Sequence, residues 1–178
     1  MYRLYFWAKR VIKNEKNSVI LHRLAEKIIG HIEAYYNLFV KKMYIKHPSD
    51  KIGITVKKRE QKIIVSLTSF PKRIDTLWIT VETLLRQSMK PDEIILWLAE
   101  EQFNGIDSLP KALLEQQKRG LTIRFCDDLR SHKKYYYTMQ EYPRDIVILV
   151  DDDMFYPKDT IKKLWKLHKK YPNDICSI

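Results

Sequence analysis

The chain has 178 residues and a formal net charge of +11, and 45% of its residues are hydrophobic while 31% are charged. This composition excludes disordered, collagen-like and low-complexity proteins, and the length allows one full domain but not two. Its two cysteines, Cys126 and Cys176, lie far apart in the sequence. Their number and spacing argue against a disulfide framework or a zinc site and favour a reducing, cytoplasmic compartment.

The positive charge is concentrated in the first third of the chain. Residues 1–62 hold 15 Lys and Arg against five Asp and Glu, whereas residues 63–178 hold 18 against 17. A nucleic-acid-binding domain needs basic residues on its folded part, so the sequence predicts no nucleic-acid partner. A nucleic-acid-binding module that uses only the basic N-terminal segment remains an alternative, which steep salt dependence of oligonucleotide binding would favour.

The N-terminal segment, residues 1–60, is predicted to be helical and amphipathic. Its apolar residues recur at steps of three and four: Leu21, Leu24, Ile28, Ile32, Tyr35, Phe39 and Met43. The longest apolar stretch, 28–40, is interrupted by His31 and Glu33 and is shorter than the roughly 20 residues that span a bilayer. Basic side chains opposite this stripe suit an anionic membrane surface, on the cytoplasmic face of a bacterial plasma membrane. They suit equally a stripe that packs on the next domain or on another subunit.

After a polar break at residues 47–53, short apolar runs alternate with amphipathic stretches. We therefore predict a domain boundary near residue 60 and an α/β domain over residues 61–178. The predicted strands are 62–68, 93–99, 121–126 and 145–150, with another beginning at Ile175, and the predicted helices are 75–87, 109–119, 134–141 and 159–170. Because the strands are continuous apolar runs, they indicate a mostly parallel, doubly wound sheet with helices on both faces.

Three consecutive carboxylates follow strand 145–150, which is predicted to be a buried central strand. Ligands of such sheets bind beyond the carboxyl ends of the strands, where Asp151, Asp152 and Asp153 lie. If the extended backbone continues, Asp151 and Asp153 point to one side and Asp152 to the other. Charges so close repel unless a cation compensates, and oxygen ligands at this spacing suit Mg²⁺ or Mn²⁺ with substrate phosphates.

The acidic run also has other interpretations. A simple turn, in which Asp159 caps the helix that follows, explains the acidic residues about as well as a metal site does. An EF-hand loop is excluded because its sixth and twelfth positions would be Tyr156 and Lys162. The sequence contains no Gly-Lys phosphate loop, no G-x-G-x-x-G, no H-E-x-x-H and no G-x-S-x-G motif.

Several segments in a fixed order carry a resemblance to a known family. They are the strand that ends in Thr68-Ser69-Phe70-Pro71-Lys72-Arg73, then Leu85-Arg86-Gln87-Ser88, then Pro91-Asp92-Glu93-Ile94-Ile95-Leu96, and finally Val150-Asp151-Asp152-Asp153 with Tyr156-Pro157. Over residues 62–178 the chain resembles the nucleotide-binding half of family 2-like glycosyltransferases. The resemblance implies the Rossmann-like, A-type glycosyltransferase fold and transfer of a sugar, as by a hexosyltransferase, from a nucleotide-diphosphate sugar donor.

The resemblance also implies roles for individual residues. Asp151 and Asp153 fall on the Asp-x-Asp positions that hold Mn²⁺ or Mg²⁺ on the donor diphosphate. The implied nucleotide-binding residues are Thr68, Ser69, Arg73, Asp128, Lys133, Lys134 and Asp152. Many members carry an Asp for the base after the second strand, where only Glu100 or Glu101 is available here. The tyrosines at 135–137 are as suited to packing as to stacking on a base.

The acceptor half of the family fold is not recognisable in the sequence. In inverting members the general base follows the metal motif, and this sequence ends 25 residues after Asp153. We therefore expect the nucleotide-binding part of a truncated or split glycosyltransferase, with a glycan, surface polysaccharide or glycolipid as acceptor and no assigned catalytic base. A non-catalytic interaction protein built on a degraded nucleotide-binding fold remains the alternative.

Overall fold

The computed structural model describes residues 2–14 and 18–177. The chain forms two compact units, Met1–Ser49 and Asp50–Ile178. The division therefore precedes the boundary predicted near residue 60. Residues 50–59 belong to the second unit because Gly53 donates its N–H to Arg119 O at 2.7 Å and Arg59 forms an ion pair with Asp92 at 2.7 Å.

The described residues of the first unit form two helices, α1 (Tyr2–Lys13) and α2 (Val19–Lys46). Their contact is a small buried cluster made by Ala8, Val11, Ala25 and Ile29. Of the apolar stripe predicted on α2, Leu21 and Ile28 pack against this cluster, whereas Leu24, Tyr35 and Phe39 are exposed. Among the described residues, none of the helices has both the length and the apolar character that crossing a bilayer requires.

The second unit is built on four parallel strands: β1 (Ile63–Thr68), β2 (Glu93–Ala99), β3 (Leu121–Cys126) and β4 (Ile146–Leu149). Their order is β3-β2-β1-β4, and every neighbouring pair is parallel. The α/β class and the parallel sheet are thus confirmed, and the four strands lie within one residue of their predicted ends. The predicted central position of β4 is wrong, because within the described sheet β4 pairs only with β1 and lies at an edge.

Helices cover both faces of the sheet. They are α3 (Ile74–Leu85), α4 (Lys111–Leu114), α5 (Lys133–Glu141) and α6 (Thr160–Lys170). Alternate strand residues such as Val65 and Leu96 point into the main core with α3, α4 and α6. Ile64 and Ile95 point to the opposite face, where they pack near α5 with Tyr137.

Some predicted elements differ from the structure. The helix predicted over 109–119 begins only after Pro110 and tightens into a 3-10 turn at Glu115–Arg119, which ends at Gly120 with φ of 113°. The strand predicted from Ile175 is wrong within the described residues, since Ile175 is fully exposed and pairs with no strand there, while Ile178 lies outside them. Asp159 precedes α6 but does not cap it, because its carboxylate accepts a hydrogen bond from Ser88 Oγ at 2.6 Å instead.

A buried ion cluster connects α3 to the 3-10 turn before β3. Glu82 on α3 accepts hydrogen bonds from Arg86 Nε at 2.6 Å and from Arg119 NH1 at 2.5 Å. Gln116 Nε2 lies 3.2 Å from the same carboxylate. Arg119 also donates a hydrogen bond to Lys51 O, so the cluster holds the first residues of the second unit against the 3-10 turn.

Candidate functional site

A cavity of about 450 Å³ opens beyond the carboxyl ends of the parallel strands. Segments that follow all four strands contribute to its wall, as expected for a parallel α/β sheet. Eight of the nine predicted site residues line it: Thr68, Ser69, Arg73, Asp128, Lys133, Lys134, Asp151 and Asp152. The ninth, Asp153, contacts the wall through Arg73 NH1, 2.8 Å from its Oδ2.

Asp152 joins the acidic turn, residues 151–153, to the loop between β1 and α3. Its carboxylate, only 9% exposed, accepts hydrogen bonds from Ser69 Oγ at 2.7 Å and Arg73 NH1 at 2.6 Å. Its backbone oxygen accepts a third hydrogen bond from Thr80 Oγ1 at 2.9 Å. The hydrogen bond to Asp152 raises the pKa of Arg73. These contacts fix the position of a permanently cationic guanidinium at the cavity wall.

The condition for the expected alternation of the three acids is not met, because the strand ends at Leu149 and the backbone turns at Asp152 and Asp153. Arg73 consequently contacts both Asp152 and Asp153. Asp151 instead accepts a hydrogen bond from Lys134 Nζ at 2.6 Å. Its backbone N–H donates to the hydroxyl oxygen of Tyr156, 2.7 Å away. Burial raises the pKa of Tyr156 to about 12, so this phenol stays protonated at neutral pH.

The third part of the wall is the segment between β3 and α5. Asp128 accepts a hydrogen bond from Lys133 Nζ, another from the Arg130 N–H at 2.8 Å and a third from Gln102 Nε2 at 2.7 Å. The hydrogen bond from Lys133 lowers the pKa of Asp128, followed by that from the Arg130 backbone. The Lys133 side chain is only 3% exposed, so Asp128 compensates a buried charge.

Arg130 has an unusual backbone conformation. Within the chain as described it is the one non-glycine residue with positive φ, at 54°. Such a conformation costs of order 1–3 kcal/mol and persists where the surroundings impose it. The Asp128 carboxylate, which holds the Arg130 N–H, provides that constraint and brings Arg130 and Ser131 to the wall.

Charge is the dominant property of the cavity. Four basic side chains line it, and they are Arg73, Arg130, Lys133 and Lys134. The acids of the turn differ in exposure, because the Asp151 and Asp153 side chains are 65% and 51% exposed whereas that of Asp152 is 9% exposed. The wall can therefore offer cationic groups to an anion and two accessible carboxylates to a metal ion.

The carboxylates of the wall do not form a complete metal site, but they can supply one or two ligands to a divalent ion. Within residues 2–14 and 18–177, no three His, Cys, Asp or Glu side chains come together as a ready-made metal site. Mg²⁺ and Mn²⁺ sites commonly use only one or two protein carboxylates, with water and substrate phosphates completing the shell. The exposed Asp151 and Asp153 meet that smaller requirement.

Sequence reasoning missed part of the wall. Gln102 follows β2 in a 3-10 turn and contacts Asp128, whereas Glu100 and Glu101, the predicted substitutes for a base-binding Asp, are exposed and lie outside the cavity lining. No local pattern marks a glutamine for this position. Tyr137 packs against the Trp97 ring with centroids 5.2 Å apart, and the tyrosines at 135–137 do not line the cavity.

Comparison with known proteins adds no family to this description. A scan against protein-family models gives no match to the sequence, and a search of curated proteins gives none either. The basis for a function of the cavity is therefore its own residues and the motif resemblance.

Proposed function

We propose that the cavity binds the diphosphate of a nucleotide-diphosphate sugar and that the protein is a glycosyltransferase. One observation carries the proposal: eight residues chosen from the sequence as donor-binding lie around a single cavity beyond the carboxyl ends of the strands. A cavity of about 450 Å³ is within the usual size of small-molecule sites. Its four basic side chains suit the negative charge of a diphosphate.

The ion pairs of the wall support this use, because their partners can be exchanged without a change in net charge. Lys134 is paired with Asp151, and Arg73 is paired with Asp153. A diphosphate with a bound Mn²⁺ or Mg²⁺ offers anionic oxygens to the two basic side chains and a cation to the two carboxylates. Both carboxylates are exposed enough to turn toward such an ion.

Sugar transfer leaves a nucleoside diphosphate with developing negative charge on its oxygens. A divalent ion supplies Lewis-acid stabilisation of that charge when bound. Arg73 and Lys134 contribute positive charge at the same wall, and Asp152 holds Arg73 in place. We assign no residue of the chain as the base that deprotonates the acceptor, and we propose a glycan, surface polysaccharide or glycolipid as the acceptor.

Metal-dependent nucleotide binding tests the proposal. Calorimetry with uridine, guanosine and thymidine diphosphates should give binding to at least one of them with Mn²⁺ and much weaker binding in chelator. Asp153→Asn should weaken the metal-supported complex about tenfold or more, because a charged contact contributes about 1.5 to 3 kcal/mol. Asp107→Asn is the matched control, since Asp107 is an exposed acid in the turn Ile106–Ser108, outside the cavity lining.

The outcomes separate the alternatives. If all three diphosphates bind equally poorly with and without metal, the donor site is wrong and the non-catalytic interaction protein becomes the better interpretation. Equal losses in the Asp153 and Asp107 variants would also reject the assigned metal contact, because the effect would then follow from net charge alone.

For the first unit, we propose contact with an anionic membrane surface from the cytoplasmic side. Exposed apolar side chains, among them Trp7 and Leu24, occur in the same helices as the exposed basic residues Arg10, Lys13 and Arg23. Mixed apolar and basic exposure suits lipid headgroups.

Removal of residues 1–46 should greatly reduce cosedimentation of the protein with phosphatidylglycerol vesicles. Added salt should reduce binding of the full chain to the same vesicles. Full binding after removal of residues 1–46 would contradict the proposal.

A further inference from the structure

Helix α6 carries a separate concentration of positive charge. We define its lysine face as Lys162, Lys163, Lys166, Lys169 and Lys170, all of which are exposed. At about 100° per residue, these five side chains fall within about 120° of the helix circumference. The net charge of residues 63–178 is almost zero, so the lysine face is a local concentration of positive charge that the net charge does not reveal.

The charge of the lysine face is not compensated by ion pairs. Across the described parts of the chain, 2–14 and 18–177, no carboxylate lies within ion-pair distance of any of the five ammonium groups. The nearby Asp159 is held by Ser88, whose hydrogen bond lowers the pKa of the Asp159 carboxyl. The lysines are thus available to an external anion.

The opposite side of α6 is already used in folding. Ile161 is buried in the main core, and Leu164 and Trp165 pack against it. Gln87 fixes the start of the helix, because its Oε1 accepts a hydrogen bond from Ile161 N at 3.1 Å and its Nε2 donates to Pro157 O at 2.9 Å. The helix cannot turn its apolar side outward without loss of core contacts, so the lysine face is the surface it presents.

We infer that the lysine face of α6 is a docking surface for an anionic phospholipid bilayer. The face is a convex row about 12 Å long, since the helix rises about 1.5 Å per residue from Lys162 to Lys170, and it contains lysines but no arginine. Lysine acts as a compact point charge, which suits a diffuse layer of headgroups, whereas arginine is preferred for bidentate phosphate recognition. An exposed Tyr171 follows the helix with Lys170 Nζ 4.9 Å from its ring centre, a pairing suited to a lipid interface.

Other anionic partners fit this face less well. A protein partner would bury a central apolar patch, and the side chains of the lysine face supply none. A nucleic acid would be expected to meet arginine or base-stacking side chains as well as lysine. The inference does not depend on the nucleotide site, although docking through α6 would bring the acidic turn, which precedes the helix in the same unit, toward the bilayer.

Vesicle partition of the full chain tests the inference. Lys162→Gln, Lys163→Gln and Lys166→Gln combined should weaken partition into phosphatidylcholine vesicles that contain phosphatidylglycerol by at least tenfold. The matched control combines Lys57→Gln, Lys58→Gln and Lys111→Gln, which remove the same charge from exposed positions of the same unit. Both variants keep residues 1–49, so any contribution of the first unit cancels in the comparison.

Circular dichroism should show that both variants stay folded, because the replaced lysines of α6 form no ion pairs within the described residues. Equal partition of the two variants would overturn the inference, as would unchanged binding of the full chain to pure phosphatidylcholine. Binding to a duplex oligonucleotide that depends on the same lysines, without vesicle binding, would assign the face to nucleic acid instead and equally overturn it.

Discussion

Glu82→Gln is expected to lower the free energy of unfolding of the second unit by about 3 to 5 kcal/mol. The Glu82 side chain is only 7% exposed, and it is the carboxylate shared by Arg86, Arg119 and Gln116. Glutamine keeps the shape but removes the charge, which leaves Arg119 as a buried and uncompensated cation. The Arg119 NH2 group already lacks a hydrogen-bond partner within the described residues, so the Glu82 carboxylate is the main compensation for this buried guanidinium.

Urea denaturation measures this loss, and its pH dependence gives an independent check. Burial disfavours the Glu82 carboxylate, but the hydrogen bonds from Arg119 and Arg86 prevail and lower its pKa below 4.5. A lowered folded-state pKa means that the stabilisation is fully present above about pH 4.5 and is lost as the pH falls through the folded-state value. The Gln variant should lack this part of the acid dependence.

A surface pair provides the control for Glu82. Glu115 contacts Lys118 at 2.6 Å, but both side chains are largely exposed. Water and salt screen such a pair, so Glu115→Gln should leave the urea midpoint nearly unchanged. Equal destabilisation by the two substitutions would show that the buried cluster contributes no more than a surface contact.

The strands could be predicted from the sequence because each is a short, mostly apolar segment between polar breaks, even where Ser66 or Arg124 interrupts the apolar residues. Ile94 and Ile95, for example, are both buried, on opposite faces of β2, so both positions must be apolar. The edge position of β4 could not be predicted, since strand order depends on pairing between distant segments. Similarly, nothing local to Glu82 predicts that Arg119 approaches it from 37 residues away.

The candidate site, like the fold, could be predicted from the sequence only in part. The residues that follow β1 and β4 could be chosen because their motifs adjoin strand ends, and those residues lie around one cavity. The directions of the three acids could not be predicted, because the prediction required extended backbone where the chain turns at Asp152. Gln102 was missed because its contact with Asp128 brings together segments that follow two different strands.

A second large effect is expected at Thr138, which connects α5 to the sheet. The Thr138 side chain is fully buried, and its Oγ1 accepts a hydrogen bond from Trp97 Nε1 at 2.7 Å and lies 2.8 Å from Ser66 Oγ. Thr138→Val keeps the shape but leaves the buried indole N–H of Trp97 without an acceptor. We expect a loss of about 1 to 3 kcal/mol in the free energy of unfolding, the cost of an unsatisfied buried donor.

The hydroxyl at 138 can be separated from the methyl group by Thr138→Ser, which retains the acceptor and removes one buried methyl. Exchange of the Trp97 indole N–H, followed by NMR, should be faster in the Val variant and unchanged in the Ser variant. Equal exchange in the two variants would contradict the role given to the hydroxyl. This readout is specific because a simple packing defect would affect the Ser variant, which loses a methyl group, rather than the Val variant, which keeps the shape.

The Val and Ser variants of Thr138 also test whether packing beneath α5 affects ligand binding in the cavity. Ser66 Oγ donates to the backbone oxygen of Lys134, so the Ser66 and Thr138 contact lies directly beneath the first turn of α5, which begins with Lys133 and Lys134. If those lysines bind a diphosphate, Thr138→Val should weaken metal-supported nucleotide binding, while Thr138→Ser should retain it. Faster indole exchange with unchanged nucleotide affinity would keep the packing role of Thr138 and reject the idea that α5 must be held in place for the site to bind its ligand.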